Sequence, residues 1–305
     1  MALKQVKKFF LFFFLSYGLC QGQSLNLFLK PSDSLNSSRR TTVVVTETAL
    51  ASSALIGLNQ LWYAQYPRSK FHTVDDSAEW LQMDKFGHFY STYHMGAMGY
   101  NALAWSGAHE ASRLLYGATL GVGFMTVVEV LDGHSSEWGF SWSDMAANVS
   151  GASLFVSQQL LWKEQRIVPK FSFHQTSYAA IRPNVLGTSL SQQILKDYNG
   201  QTYWFSGNIR SFFKTSKVPT WLNLALGYGA EGMISGKESF NDSASYPVFQ
   251  RYRQFYLSLD VDFTKIRTKS QVLKTVFALF NSLKVPFPTL ELNDKGALKG
   301  HLFYY

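Results

Sequence analysis

Three short segments carry the residues that could do chemistry: Asp84-Lys85-Phe-Gly-His88, Glu129-Val-Leu-Asp132 and Asp144-Met-Ala-Ala-Asn148. The sequence around them is apolar and small. No Asp, Glu, Lys or Arg falls between Phe86 and His109, between Leu114 and Val128, or between Met145 and Trp162. Ionisable groups at the ends of apolar helices are costly to bury without partners or a task. Asp84 and His88, four apart, share a helix face; so do Glu129 and Asp132, three apart, and Asp144 and Asn148, with Gly151 one turn further on. If these faces converge, the set can bind a hard divalent metal through oxygen and one imidazole, with His88, Glu129 and Asp132 as candidate ligands. It can equally run acid–base chemistry. Lys85 would neutralise a carboxylate or meet a phosphate.

Blander roles exist for the same residues. Asp144 stands at the third position of a Ser141-Trp-Ser-Asp144 capping box, where a carboxylate stabilises a helix start by roughly 0.5–1 kcal/mol regardless of function. Asp76 and Glu79, in Asp76-Ser-Ala-Glu79, read as caps alone. Glu129 and Asp132 fall at a helix C-terminus, where acids are unfavourable, so they stand out. His94, His109 and His134 read as packing or surface histidines. The set is thus read as a buried polar network with catalysis as the alternative, and no cofactor follows from the sequence.

The elements that must position these residues are helices. Thr48 to Pro67 lacks charge, ends in Leu61-Trp62-Tyr63 and is a helix candidate bounded by Pro67. The Asp76–Glu79 box predicts a helix start running through Asp84 and His88 to about Trp105. A third helix is expected from about His109 to Leu131, and a fourth from Ser141 to about Trp162. Met95-Gly-Ala-Met-Gly99 and Gly117-Ala-Thr-Leu-Gly121 place small residues at helical spacing, which lets backbones approach closely, a habit of helices in lipid and of tight bundles alike.

Beyond Pro169 the texture changes to strands and turns. Asp197-Tyr-Asn199-Gly200 predicts a hairpin turn of type I′. Trp221 to Gly229 alternates large and small side chains. Arg251 to Phe263 is the clearest strand, with Phe255, Leu257, Leu259, Val261 and Phe263 on one side and Tyr256, Ser258, Asp260 and Asp262 on the other. In Gln271 to Lys284, the residues Val272, Leu273, Val276, Phe277, Phe280 and Leu283 share a helical face with Lys269, Lys274 and Lys284 around it. That fits an amphipathic helix on a membrane surface or a helix covering a sheet edge. The chain closes on His301-Leu-Phe-Tyr-Tyr305, an aromatic strand end of the kind found in outer-membrane barrels.

Composition agrees with partial lipid contact: 16% aromatic is high and 16% charged is low. The net charge of +8 is uneven. Residues 23–165 hold eight Lys/Arg against twelve Asp/Glu, and residues 166–305 seventeen against eight. A basic half of an envelope protein is expected to meet membrane lipid or anionic glycolipid. No zinc-finger, RNP or helix-turn-helix pattern supports nucleic-acid binding. Gly-x-Ser-x-Gly, phosphate-binding loops and His-Glu-x-x-His are missing as well. Lys4, Lys7 and Lys8 followed by the apolar run Phe9–Leu19 read as a secretory signal over residues 1–22. Cys20, the single cysteine, sits in a poor lipidation context, with Leu19 and Tyr17 flanking Gly18.

In Met83-Asp-Lys-Phe-Gly-His88, Glu129-Val-Leu-Asp-Gly133, Trp138-Gly-Phe-Ser-Trp-Ser-Asp144 and Ala147-Asn148, the chain resembles the YfiM-type predicted periplasmic lipoproteins of unknown function, in the longer form found in Bacteroidetes. The likeness covers about residues 40–165 and, more loosely, Lys196 to Trp204. The same order of Asp-Lys-x-x-His, Glu and Asp-x-x-x-Asn-x-x-Gly is similar to VanZ-type membrane proteins. The resemblance implies an envelope location and a small bundle of membrane-associated helices, and no established reaction. The fold expected is α+β: a small-residue-rich bundle of about four helices over residues 43–165, after a polar lead-in at 23–42, then a basic β-rich region at 166–305 with one amphipathic helix. The function expected is that of an exported, membrane-associated protein of the periplasm or outer membrane with a structural or binding role. The alternative is a metal- or acid–base-dependent enzyme acting on a lipid-linked or glycan substrate.

Overall fold

The structure, a computed structural model, describes residues 24–64, 66–237 and 246–304. The signal-type segment 1–22 and Cys20 lie outside the described residues. The fold is α+β: long helices come first and a six-stranded antiparallel sheet follows.

The helices are α1 (Ser37–Leu58), α2 (Met83–Trp105), α3 (Leu120–Gly133) and α4 (Trp142–Trp162). Helix α1 starts well before Thr48, because the Asn36 side chain accepts from the Arg39 amide and caps it. Arg39 also donates to the Lys30 and Trp105 carbonyls and stacks on the Trp105 ring, tying the helix start to the end of α2. A π-helical turn, Asn59–Tyr63, prolongs α1, and another, Arg113–Gly117, precedes α3.

Helix α2 does not start at the Asp76-x-x-Glu79 box. Residues Glu79–Gln82 form a short 3-10 turn in which Trp80, Leu81 and Gln82 all have positive φ (50°, 50° and 67°). Three successive non-glycine residues in that region are unfavourable, and surrounding contacts must hold them. The Tyr228 hydroxyl donates to the Leu81 carbonyl, Arg253 donates to Gln82 Oε1 at 2.7 Å, and the Trp80 amide donates to the Gly236 carbonyl at 3.0 Å. The helix therefore begins under instruction from the sheet, at Met83, well beyond the start that the Asp76 box predicts. By contrast, α4 begins where its box predicts, with Ser141 Oγ accepting from the Asp144 amide at 3.1 Å.

Close backbone approach holds the helices together. A Cβ on Gly151 of α4 would collide with the Phe89 carbonyl and Thr92 Oγ1 of α2, and Gly99 and Gly117 meet in the same way. Small residues thus line the contacts while large apolar side chains point outward: Val45, Leu50 and Ile56 on α1, Val127 on α3, and Leu160 and Leu161 on α4 are exposed. Among the described residues, two helical stretches, Ser37–Tyr63 and Glu110–Gly133, are long and apolar enough to cross a membrane, and only 6% and 22% of their apolar windows are buried.

Strands β1 (Thr73–Val74) and β2 (Phe140–Ser141) form a small parallel pair. The main sheet runs in sequence order: β3 (Ile167–Phe173), β4 (Gln201–Asn208), β5 (Leu222–Glu231), β6 (Tyr252–Val261), β7 (Phe287–Asn293) and β8 (Leu298–Tyr304). The segment Asp197–Gly200 is no hairpin turn. Asp197 accepts from the Asn199 amide and side chain, and Asn199 binds Met233, so the stretch forms a 3-10 turn leading into β4. The sheet curls until Phe171 of β3 pairs with Ser282 and Lys284, just before β7.

Along β5, β6 and β7 the usual burial order is inverted. Asn223, Gln254, Ser258, Asp260, Thr289 and Glu291 are buried, whereas Leu224, Leu226, Phe255, Leu257, Leu259, Leu290 and Leu292 are exposed. Register puts Leu226, Leu257 and Leu290 side by side, and Leu224 beside Leu259. The concave side carries its own ion pair, Lys170 Nζ to Asp260 Oδ2 at 2.7 Å, with both side chains fully buried. On the convex side, α2 covers the remaining part: Phe86 stacks on Tyr203 and Tyr228, and Phe89 meets Phe205.

The amphipathic helix is α5 (Gln271–Phe280), capped by Ser270 and tied at its start to Asn26. Leu273, Val276, Leu279 and Phe280 are exposed on it, as are Lys269 and Lys274. Two residues depart from the membrane-surface reading. Phe277 turns inward and stacks on Phe263. Lys284 is buried on the concave side, donating to the Leu259 and Val285 carbonyls and lying over the Trp204 ring, because the chain has by then left the helix and entered the sheet.

Candidate functional site

Four elements bring the polar residues together: the loop before α2, α2 itself, the C-terminal end of α3, and the N-terminus of α4. Lys85 is the centre of one group. Its Nζ lies 2.8 Å from Asp76 Oδ2, 2.9 Å from Asp84 Oδ2 and 3.1 Å from Asp144 Oδ1. Asp76 Oδ1 also accepts from the hydroxyls of Ser141 and Ser143. These bonds explain why Asp76 fails to cap α2: its carboxylate is turned toward Lys85 and the start of α4.

His88, Glu129, Asp144 and Asn148 make the second group. His88 Nδ1 lies 3.1 Å from Asn148 Oδ1 and 3.6 Å from Glu129 Oε1. Glu129 is 1% exposed. Its Oε2 accepts from the Ser141 amide at 3.0 Å, while its Oε1 has no hydrogen-bond partner. Asp144 belongs to both groups.

Asp132 stands apart. Its Oδ1 accepts from the Tyr63 hydroxyl at 2.8 Å, beside a small cleft of about 180 Å³ lined by Tyr63, Pro67, Leu131 and His134. Among the described residues two trios of ligand-type side chains lie within 4.8 Å of one another, Asp76–Asp84–Asp144 and His88–Glu129–Asp144; in the one that holds the imidazole, Asp144 takes the place that spacing assigned to Asp132. The reason is geometric: a three-residue step turns Asp132 about 60° from Glu129 around the helix, enough to aim it at the π-helical turn instead.

The electrostatics follow from burial and from Lys85. Burial, helped by Asp144 and Asp76, outweighs Lys85 and pushes the Asp84 carboxyl up to about 7. Burial also acts on Asp76, but hydrogen bonds from Lys85 and Ser141 prevail and hold it down at about 2. Desolvation opposes the charge on Lys85, and the Asp84 and Asp144 carboxylates overcome it, so its ammonium is held above the ordinary lysine value. Burial lowers His88 and raises Asp144.

Asp84, Lys85, His88, Glu129, Asp144 and Asn148 therefore meet in one cluster, Glu129, Asp144 and Asn148 buried and the others half-buried, with Asp132 at its side. Sequence reasoning left out Asp76, Ser141, Ser143 and Tyr63. Asp76 was hidden by a capping pattern, and Ser141 carries a cap and a hydroxyl bond at once. Tyr63 has no local signal, since its partner is on another helix.

Residues 73–159 match the family described as predicted periplasmic lipoprotein (DUF2279). The matched stretch contains both groups of the cluster. No curated protein and no solved structure matches the chain.

Proposed function

We propose that this chain is an exported envelope protein seated in lipid, in the periplasm or at the outer membrane, with a structural or binding role. One observation carries the reading: the sheet buries its polar residues and exposes its leucines. Soluble sheets with one solvated face do the opposite, whereas strands that face hydrocarbon alternate apolar-out and polar-in. The exposed row Leu226–Leu257–Leu290 is paired strand to strand, so it forms a continuous surface. The helices support the same reading, with small residues at their contacts and large apolar ones outside. The exposed face of α5, with Lys269 and Lys274 beside it, suits the headgroup layer of an anionic lipid or glycolipid. The match of residues 73–159 to predicted periplasmic lipoproteins supports the envelope location.

Fractionation of cells making the full chain tests the reading. The protein should stay with membranes through high salt and alkaline carbonate and come off only with detergent. Recovery as a monodisperse, detergent-free species after carbonate would contradict it.

A further inference from the structure

We propose that His88, Glu129 and Asp144 form a binding site for a divalent first-row transition ion such as zinc or manganese. The two acidic groups of the cluster differ in a way that separates them chemically. Asp76, Asp84 and Asp144 already surround a cation, the Lys85 ammonium, at 2.8–3.1 Å. Among the described residues no lysine or arginine reaches Glu129, whose nearest ion-pair partner is the His88 imidazole at 3.6 Å. Glu129 Oε1 is buried, points at His88 and lacks a hydrogen-bond partner. A buried carboxylate oxygen in that state costs free energy unless a cation or proton meets it.

Charge balance argues in the same direction. Asp76, Asp84 and Asp144 share the ammonium of Lys85, and among the described residues Glu129 has no Lys or Arg ion pair. The donor set of one imidazole nitrogen and two carboxylate oxygens suits zinc, manganese or iron rather than calcium, which prefers oxygen alone. The three donors lie within 4.8 Å of one another. Bonds of about 2.0–2.2 Å to one ion would draw them slightly closer, a movement within reach of side-chain rotation. Asn148 Oδ1, 3.1 Å from His88 Nδ1, offers a further oxygen or orients the ring. Glu129 Oε2 is already fixed by the Ser141 amide, which leaves Oε1 as the free donor. Its residues come from α2, α3 and α4 and not from the sheet whose leucine face carries the lipid reading.

The test uses the full chain, purified in detergent, stripped with chelator and dialysed against zinc chloride. The expected result is one zinc per chain, with Glu129→Gln and His88→Gln each weakening binding by at least roughly tenfold, and His109→Gln, an exposed histidine, leaving it unchanged. X-ray absorption of the zinc-loaded wild type should show a mixed nitrogen and oxygen shell with one imidazole; this reading does not depend on any variant folding. Sub-stoichiometric zinc on folded wild type, or a zinc shell without imidazole, would overturn the proposal. So would a folded Glu129→Gln that binds like wild type.

Discussion

Lys85 reaches back across a left-handed turn to place its ammonium 2.8 Å from the carboxylate of Asp76. The pair links the loop before α2 to the helix itself, and through Ser141 and Ser143 to the start of α4. Removing the cation should leave three close carboxylates without compensation. Lys85→Met is expected to destabilise the fold by about 3–5 kcal/mol, the range for breaking a buried pair from one side. Chemical denaturation in detergent measures it, and a loss below about 1 kcal/mol would show that the cluster needs no central charge.

Asp84 gives the cluster a pH signature. Its folded value, about 7, lies above the ordinary aspartate value, so between roughly pH 4 and 7 the folded state holds a proton that the unfolded chain has lost. The contribution is therefore full below pH 4 and is lost as pH rises through 7, with a slope of at most about 1.4 kcal/mol per unit. Asp84→Asn should flatten that decline. Stability profiles of wild type and variant that run parallel from pH 4 to 7 would refute the assignment.

Gly151 tests the packing that assembles the site. Alanine there places a methyl against the Phe89 carbonyl and Thr92, backbone and buried side chain that have no room to yield. A loss of about 1–3 kcal/mol is expected, the usual range for overpacking. Because His88 and Asn148 face each other across this same contact, spectral changes at His88 should accompany the loss. A variant as stable as wild type would mean that α2 and α4 are not in close contact at this level.

On α5 the two phenylalanines should separate. Phe280 is exposed and Phe277 stacks on Phe263. Phe280→Asp should weaken binding of the full chain to anionic vesicles and leave its melting unchanged, whereas Phe277→Asp should lower the melting temperature. Equal vesicle binding by wild type and Phe280→Asp in flotation would remove this helix from the lipid-facing surface.

The sequence made some of this legible and concealed the rest for physical reasons. Segments with a local signal were readable: the Ser141 cap, the ends of α2 and α4, the strand around Phe255 and the α+β order. Alternation along β6 separated Phe255, Leu257 and Leu259 from Tyr256, Ser258 and Asp260, but period two is blind to which side is inside. The partners of Lys170 and Lys284 decided that question, and they come from other strands. The left-handed turn Trp80–Gln82 was likewise hidden, because Tyr228 and Arg253 impose it from the sheet. Within the cluster, helical spacing found His88, Glu129 and Asn148. It misassigned Asp132, whose direction depends on Tyr63, and it left out Asp76, whose capping pattern is overridden by a lysine that no local rule pairs with it.

The central claim is that the leucine face of the sheet meets hydrocarbon, and one measurement addresses it directly. In a chain whose native cysteine is replaced, Leu226→Cys, Leu257→Cys and Ser258→Cys each carry a fluorescent label, and the protein is reconstituted into vesicles containing brominated lipid. Lipid-borne bromine should quench the labels at 226 and 257 strongly and the label at 258 weakly, while a water-soluble quencher should reach neither leucine position. Labels at 226 and 257 that respond to the aqueous quencher and not to brominated lipid would contradict the account.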